Sequence, residues 1–276
     1  MADGLPDVSV EQLDHVIHAL RVSGELARLT PQQLTNIGYA LEVAGHRRLR
    51  DVGGATYDDG HLISFHTADF MSDPRFVEAY RLGKATDSWQ GHEIPWRVYV
   101  LCWAAAHALR LDGDFVECGV NRGGFSRAVA HYVALDRHPD RTFYLLDTYC
   151  GIPEQDRGVA AEHYTTTYPD CYDEVCATFR PFPNPRVIRG RVPDTLAQVP
   201  SERVAYLSID MNCVGPEIAA ATYFWDKLVP GAIIILDDYG AGVWHRDQRE
   251  AFDRFARERG VEILTLPTCQ GLMIKA

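Results

Sequence analysis

The 276-residue sequence is short of positive charge. It has 27 Lys and Arg residues against 38 Asp and Glu residues, which gives a formal net charge of −11 at pH 7. Proteins that bind nucleic acids use Lys and Arg to neutralise phosphates, and no basic stripe is available here. The composition therefore argues against a nucleic acid as the main partner. The surplus of carboxylates leaves room for a divalent cation.

Long apolar runs are missing as well. No segment approaches the roughly 20 apolar residues that a membrane-spanning helix needs. The first residues, MADGLPD, contain no basic stretch leading into an apolar one, so no secretory signal is indicated. Hydrophobic residues still make up 46% of the chain, enough for a sizeable core. We expect a cytoplasmic protein without a membrane partner.

The cysteines do not form a pattern typical of a disulfide framework or a zinc site. There are seven Cys residues, an odd number, scattered along the chain. Cys171 and Cys176 lie five apart, a poor match to zinc-site spacings, and no second pair follows. Cys118 and Cys213 lie in or beside predicted strands and are expected to be small buried residues. The pattern is typical of a reduced, cytoplasmic enzyme.

The most informative segment is residues 114–126, DFVECGVNRGGFS. A strand pattern ends at Glu117, glycines follow, and a helical pattern begins at Ser126. In an open α/β sheet such a turn lies at the carboxyl end of a strand, where ligands bind. A dinucleotide site uses G-x-G-x-x-G, with a pyrophosphate at the helix N-terminus. Here an acid precedes the first glycine and the spacing differs, which favours a ligand with a cationic group and hydroxyls. An NAD-type nucleotide-binding oxidoreductase is kept as an alternative.

From this segment onward the chain alternates strands and helices. Five strands and a closing hairpin predict an α/β fold with a doubly wound, mostly parallel, seven-stranded sheet over residues 91–276. The predicted strands are 114–118, 142–146, 186–189, 204–209 and 232–236, with the hairpin at 261–266 and 271–274. The predicted helices are 126–135, 216–228 and 244–260.

The part before residue 91 has a different pattern. Apolar residues recur at helical spacing over 8–48, the stretch 53–66 is typical of a loop, and a helix is predicted over 69–82. A further helix, 95–109, precedes the first strand. We expect residues 1–90 to form a helical cap, a lid or an oligomer contact. In the last case the protein would be a homo-oligomer.

Four predicted strands end in acids. These are Glu117, Asp147, Asp210 and the pair Asp237 and Asp238. Carboxylates that converge without a counter-charge raise one another's pKa values, so a cationic or hydroxyl-rich group should meet them. A carboxylate at the second strand end, Asp147, is placed to accept ribose hydroxyls.

The last three of these acids offer hard oxygen ligands. Asp210, Asp237 and Asp238 suit Mg²⁺ or a similar divalent cation. In the competing interpretation, one of the adjacent pair caps a helix or pairs with a nearby Arg. Among the histidines His245 is the strongest candidate for a base because it follows Asp238 closely. The weaker candidates are His163, His66 and His92.

Several stretches together resemble one family. They are IDMN at 209–212, DDYG at 237–240, residues 114–124, LDTYCGIP at 146–153, GRVPDTL at 190–196 and LVPG at 228–231. These segments are similar to the macrocin O-methyltransferase family, whose members use S-adenosylmethionine (SAM) and a metal to methylate hydroxyls on sugar-bearing natural products. The resemblance covers roughly residues 95–255.

The resemblance implies a class I SAM methyltransferase with a small, sugar-bearing acceptor. It implies metal ligation by the three Asp residues, with Asp210 accepting the acceptor proton. His245 is the alternative proton acceptor that its position close to Asp238 indicates. It further implies SAM contacts by Glu117, Gly119 and Asp147. Asn121, Gly123 and Arg191 are further candidates for binding the cofactor. This chain departs from the family at Asn212, Val214 and Gly215, where Asp, Tyr and Glu are usual. A metal-independent SAM methyltransferase acting on another small molecule therefore stays open.

Overall fold

The computed structural model describes residues 56–64, 66–157 and 168–276. The chain divides into two compact units, Met1–Ala68 and Asp69–Ala276. In the first unit two short antiparallel strands, β1 (Tyr57–Asp58) and β2 (Ile63–Ser64), form a hairpin. The sequence predicted only loop here, because two-residue strands are too short to show a period. The helices predicted over 8–48 lie outside the described residues.

Two helices begin the second unit, α1 (Pro74–Lys84) and α2 (Pro95–Ala108). Both start with a proline, whose fixed φ and missing N–H suit a first helical turn. The Asp73 side chain caps α1 by accepting from the Arg75 amide at 2.9 Å. The predicted helix from 69 is therefore split, with a 3₁₀ turn at Asp69–Ser72 before α1. The helix predicted before the first strand is confirmed as α2.

A seven-stranded sheet forms the centre of this unit. Its strand order is β5-β4-β3-β6-β7-β9-β8. The first five strands in that order are parallel, while β9 is antiparallel to both β7 and β8. The strands are β3 (Asp114–Cys118), β4 (Phe143–Asp147), β5 (Pro185–Arg189), β6 (Val204–Ile209), β7 (Leu228–Leu236), β8 (Leu264–Thr265) and β9 (Gly271–Ile274). The predicted mostly parallel sheet is confirmed.

Four further helices connect the strands. They are α3 (Gly124–Tyr132), α4 (Tyr172–Phe179), α5 (Val214–Trp225) and α6 (Arg246–Arg259). The sequence did not predict α4, because its eight residues include Tyr, Asp, Cys and Thr, which are weak helix formers. Helices α1 and α2 pack against α3. Strand β6 is buried along its whole length, as expected for a parallel strand covered on both faces.

The strand order reverses between β3 and β6. From β3 the chain proceeds outward through β4 and β5, and from β6 it proceeds the other way through β7. Ligands of doubly wound sheets bind beyond the carboxyl ends of the strands at such a switch point. The candidate site is therefore expected at the ends of β3, β4, β6 and β7.

The structure also bears on the predicted buried cysteines, on membrane-spanning helices and on the N-terminal region. Cys118 and Cys213 are buried free thiols, as predicted. Across the described ranges, no helix combines the length and the apolar character needed to cross a bilayer. Residues 69–90 belong to the same compact unit as the sheet. The role predicted for residues 1–90 stays a prediction.

Candidate active site

The glycine-rich turn after β3 requires glycine for packing. Gly119 has φ +91°, and a Cβ built on it would lie 1.8 Å from the Asp210 carbonyl oxygen at the end of β6. Gly123 has φ +83° and precedes α3, and a Cβ there would lie 2.8 Å from the Phe179 ring. These glycines bring the turn, β6 and α4 into close contact. Their predicted contacts with a cofactor stay predictions.

The backbone amides of this turn already have acceptors. The Val120 and Asn121 amides donate to Asp147 Oδ2 at 2.6 and 2.8 Å. The Gly124 amide donates to Ser88 Oγ at 2.9 Å, and the Asn121 side chain donates to the Ser88 carbonyl at 3.1 Å. A pyrophosphate would need such N–H groups at the helix N-terminus. An internal carboxylate and a hydroxyl take them instead, so the NAD-type alternative is set aside.

Asp147 therefore anchors the turn from the neighbouring strand. Its Oδ1 accepts from the Tyr149 amide at 2.6 Å and from Thr148 Oγ1 at 3.3 Å. Both carboxylate oxygens thus have donors within the protein. Binding of ribose hydroxyls, predicted from the strand-end position, would be a further role and stays a prediction.

Glu117 is a buried acid with one unused oxygen. Only 1% of the residue is exposed. Its Oε2 accepts from Ser126 Oγ at 2.7 Å, while Oε1 has no hydrogen-bond partner among the described residues. Burial raises the pKa of Glu117 to about 8; the Ser126 hydrogen bond opposes this, and the charges of Asp237 and Asp147 add to it. A buried acceptor without a donor is costly, so this oxygen suits a cationic ligand group.

Three carboxylates converge at the ends of β6 and β7. One oxygen from each of Asp210, Asp237 and Asp238 lies within 4.8 Å of the other two, as the strand ends predicted. Loss of solvent raises the pKa of Asp210 well above its ordinary range, and the charges of Asp237 and Asp238 raise it further. Burial likewise raises the pKa of Asp237, although Arg97 opposes this. The cluster is thus an acidic site in need of positive charge.

A guanidinium supplies part of that charge. Nη2 of Arg97, on α2, contacts the Asp237 carboxylate and lies 2.9 Å from Asp238 Oδ1. Asp237 Oδ1 also accepts from Gln270 Nε2 at 3.0 Å. Three carboxylates and one guanidinium leave the cluster a formal charge of −2. No sequence pattern pointed to Arg97, which precedes Asp237 by 140 positions.

His245 is buried at the start of α6, where only 3% of it is exposed. Its Nδ1 bonds to Gln248 Oε1. Gln248 Nε2 donates to Glu217 Oε1 at 2.8 Å, and the same oxygen accepts from the Met211 amide at 3.0 Å. Burial raises the pKa of Glu217 to about 7, and the hydrogen bonds from Gln248 and Met211 oppose this. The structure thus links His245 to the loop after Asp210. No motif in the sequence pointed to Glu217 or Gln248.

The remaining candidates have other surroundings. Arg191 forms a two-pronged ion pair with Asp156, both N–O distances being 2.6 Å, so its cofactor role stays a prediction. His66 and His92 are exposed. His163 lies outside the described residues.

The strand order, with five parallel strands, an antiparallel β9 and a switch point between β3 and β6, defines the class of the fold, a Rossmann-like α/β sheet. The solved structure of the O-methyltransferase NovP shares the fold, with a TM-score of 0.57 and 23% identity over 65% of this chain and 79% of that one. The family model described as macrocin-O-methyltransferase (TylF) matches residues 100–265. The chain therefore belongs to the macrocin O-methyltransferase family, and it is a SAM-dependent O-methyltransferase.

Two curated relatives agree with this assignment. Mycinamicin III 3''-O-methyltransferase of Micromonospora griseorubida is 29% identical over 210 residues, which are 69% of this chain and 80% of that protein. The other is the 8-demethyl-8-(2,3-dimethoxy-alpha-L-rhamnosyl)-tetracenomycin-C 4'-O-methyltransferase of Streptomyces olivaceus. It is 30% identical over 145 residues, 47% of this chain and 54% of that protein.

Proposed function

We propose that this enzyme methylates a hydroxyl of a sugar or of a glycosylated natural product, assisted by a divalent cation such as Mg²⁺. The observation that carries the proposal is the convergence of the Asp210, Asp237 and Asp238 oxygens within 4.8 Å of one another. The backbone contact between Gly119 and Asp210 joins this cluster to the cofactor turn. The names of the two relatives support the acceptor class, since one of the names contains a rhamnosyl group.

The chemistry of the donor set fits a divalent cation. Carboxylate oxygens are the ligands that Mg²⁺ prefers, and the formal charge of −2 left beside Arg97 matches its charge. Asn212 replaces a family Asp but still offers a neutral oxygen. A bound divalent cation lowers the pKa of a hydroxyl that it coordinates, and two vicinal hydroxyls can share it.

The residues of the site divide the remaining work. Bound SAM would supply an activated methyl group to the acceptor oxygen, and its sulfur would keep the electron pair of the carbon–sulfur bond that breaks. Asp210 or His245 accepts the hydroxyl proton. The unused Glu117 oxygen would meet the cationic end of the cofactor. The protein's main contribution is the alignment of oxygen, carbon and sulfur.

The turn residues complete the cofactor site in this proposal. Gly119, Asn121 and Gly123 form its wall, and Asp147 holds the wall in place and meets the ribose. Arg191 follows β5, the edge strand of the sheet. There it would contact the cofactor once its ion pair with Asp156 rearranges.

Metal-independent methyl transfer is the second candidate. The observation that favours it is Arg97, whose guanidinium already pairs with two of the three acids. In that case Arg97 would neutralise the cluster, and proton removal would depend on Asp210 or His245 alone.

The test compares neutral variants with the wild type. Asp210→Asn and Asp237→Asn should lower methyl transfer to glycosylated acceptors by about 100-fold or more. SAM affinity should change by less than about threefold, because the first two strand ends hold the cofactor. The exposed Asp226→Asn is the matched control. Turnover is measured with labelled SAM, with and without EDTA, and full activity in EDTA would defeat the metal role while leaving the second candidate.

A further inference from the structure

The turn between β8 and β9 reaches the acidic cluster. The Leu266 amide donates to the Gln270 carbonyl at 2.8 Å, and the Cys269 amide donates back to the Leu266 carbonyl at 3.1 Å. The Cys269 carbonyl accepts from the Gly240 amide at 2.6 Å, two positions after Asp238. The turn is thus fixed beside the end of β7, and the Gln270 side chain that it carries is completely buried.

Three contacts fix the orientation of the Gln270 amide. Its Nε2 lies 3.3 Å from the Arg97 carbonyl oxygen, which only accepts, so the end of the amide facing it is the NH₂ group. The same nitrogen donates to Asp237 Oδ1 at 3.0 Å. At the other end, Oε1 accepts from Thr268 Oγ1 at 2.8 Å. Because an amide NH₂ does not accept, the bond to Asp237 has this direction whether that acid is charged or neutral.

The two carboxylate oxygens of Asp237 therefore have different partners. Gln270 holds Oδ1. Oδ2 contacts Nη2 of Arg97, and the same nitrogen lies 2.9 Å from Asp238 Oδ1, so Oδ2 is turned towards Asp238. A divalent cation would repel the guanidinium, whereas the neutral Gln270 amide can keep its hydrogen bond when a cation binds.

We propose that Gln270 is a positioning residue, which holds Asp237 by Oδ1 and so directs Oδ2 to a divalent cation. Thr268 holds the amide in the orientation that this task requires. The inference rests on the proposed function, in which the three acids bind the cation. Hydrogen-bond partners of ligating carboxylates orient them, and loss of such a partner typically weakens metal binding by about 10- to 100-fold.

Calorimetry with Mn²⁺ alone on the full-length protein tests this role. Gln270→Met keeps the length of the side chain and removes all three hydrogen bonds, so Mn²⁺ binding should weaken by about tenfold or more. Thr268→Val removes only the hydroxyl and should weaken binding less. Thr268→Ser keeps the hydroxyl and should bind as the wild type does. Gln198→Met makes the same chemical change at an exposed position and is the matched control.

Unchanged Mn²⁺ affinity in folded Gln270→Met would overturn the proposal and leave the three Asp residues as ligands. A purely structural role would give that result together with a lower urea midpoint, since the folded protein would bind Mn²⁺ as before. If Gln270→Met fails to fold, the Thr268 variants decide, and equal affinities of Thr268→Val and Thr268→Ser would overturn the proposal. A wild type that binds no Mn²⁺ would overturn the proposed metal role itself, and this inference with it.

Discussion

At the scale of single residues, Glu117 shows how the fold acts on one charge. Its pKa rises from 4.5 to about 8 on folding, chiefly through burial. Because the folded pKa lies above the unfolded one, the folded state holds the proton more tightly between these values. The contribution of Glu117 to stability is therefore complete below pH 4.5 and is lost as pH rises towards 8. A bound cation would favour the ionised form again.

Glu117→Gln should remove this pH dependence. The variant stays neutral, so its free energy of unfolding relative to the wild type should improve by about 2–4 kcal/mol between pH 5 and pH 8. Urea unfolding of both proteins at the two pH values measures the difference, with Glu250→Gln as the exposed control. The same difference at both pH values would contradict the buried-acid assignment. SAM affinity should fall in Glu117→Gln.

Arg97 is expected to weaken cation binding at the acidic cluster. Its guanidinium contacts the carboxylates proposed to hold a cation. The guanidinium and a bound cation would repel each other by more than about 1 kcal/mol at such distances, even near a protein surface. Arg97→Gln should therefore bind Mn²⁺ or Mg²⁺ about tenfold more tightly, as measured by calorimetry. Arg97→Lys, which keeps the charge, is the matched control. Equal or weaker binding by Arg97→Gln would show that Arg97 serves mainly to orient the acids.

At the scale of elements, the cofactor turn is held from two sides. Asp147 at the end of β4 accepts three backbone amides, those of Val120, Asn121 and Tyr149. Ser88, in the segment between α1 and α2, accepts the Gly124 amide at the start of α3. The turn is thus shaped before any ligand binds.

Asp147→Asn should therefore destabilise the protein even without SAM. One amide nitrogen would face backbone N–H groups, and the loss should be about 2–3 kcal/mol in urea unfolding. Ser88→Ala, which removes a cap, should cost about 1 kcal/mol. Asp170→Asn, in an exposed pair with Arg189, is the control. Unchanged stability of Asp147→Asn combined with weaker SAM binding would assign this carboxylate to the ribose alone.

At the scale of the whole molecule, the described candidates for cofactor and metal binding all lie in the unit Asp69–Ala276. A compact unit with its own core is expected to fold alone. Residues 1–90, of which 1–68 precede this unit, are predicted to form a cap, a lid or an oligomer contact.

A chain beginning at Asp69 should keep its SAM affinity within about threefold, since the switch-point site is complete in it. Its methyl transfer should fall by about tenfold or more, because an open site admits water and aligns the acceptor poorly. Calorimetry, turnover and light scattering test these expectations. A monodisperse, fully active shortened protein would remove any role for residues 1–68 in the reaction or in assembly.

The sequence by itself determined the strands, their order of appearance and the acids at their ends. Apolar runs that end at Glu117, Asp147, Asp210 and Asp237 can be recognised as strands from the local sequence. Parallel strands bring their carboxyl ends to one edge of the sheet. The glycine spacing favoured a SAM turn over a dinucleotide turn, and that assignment stays a prediction. The family motifs then carried the reaction type.

Only the tertiary structure decided which groups meet. Three sets of contacts join distant segments. Arg97 pairs with Asp237, Asp147 accepts hydrogen bonds from the turn amides, and hydrogen bonds connect Glu217 through Gln248 to His245. The short elements α4, β1 and β2 also left no periodic signal. The physical reason is that local patterns set backbone conformation, whereas hydrogen bonds and ion pairs between segments depend on the order of strands in the sheet and on the packing of helices against it.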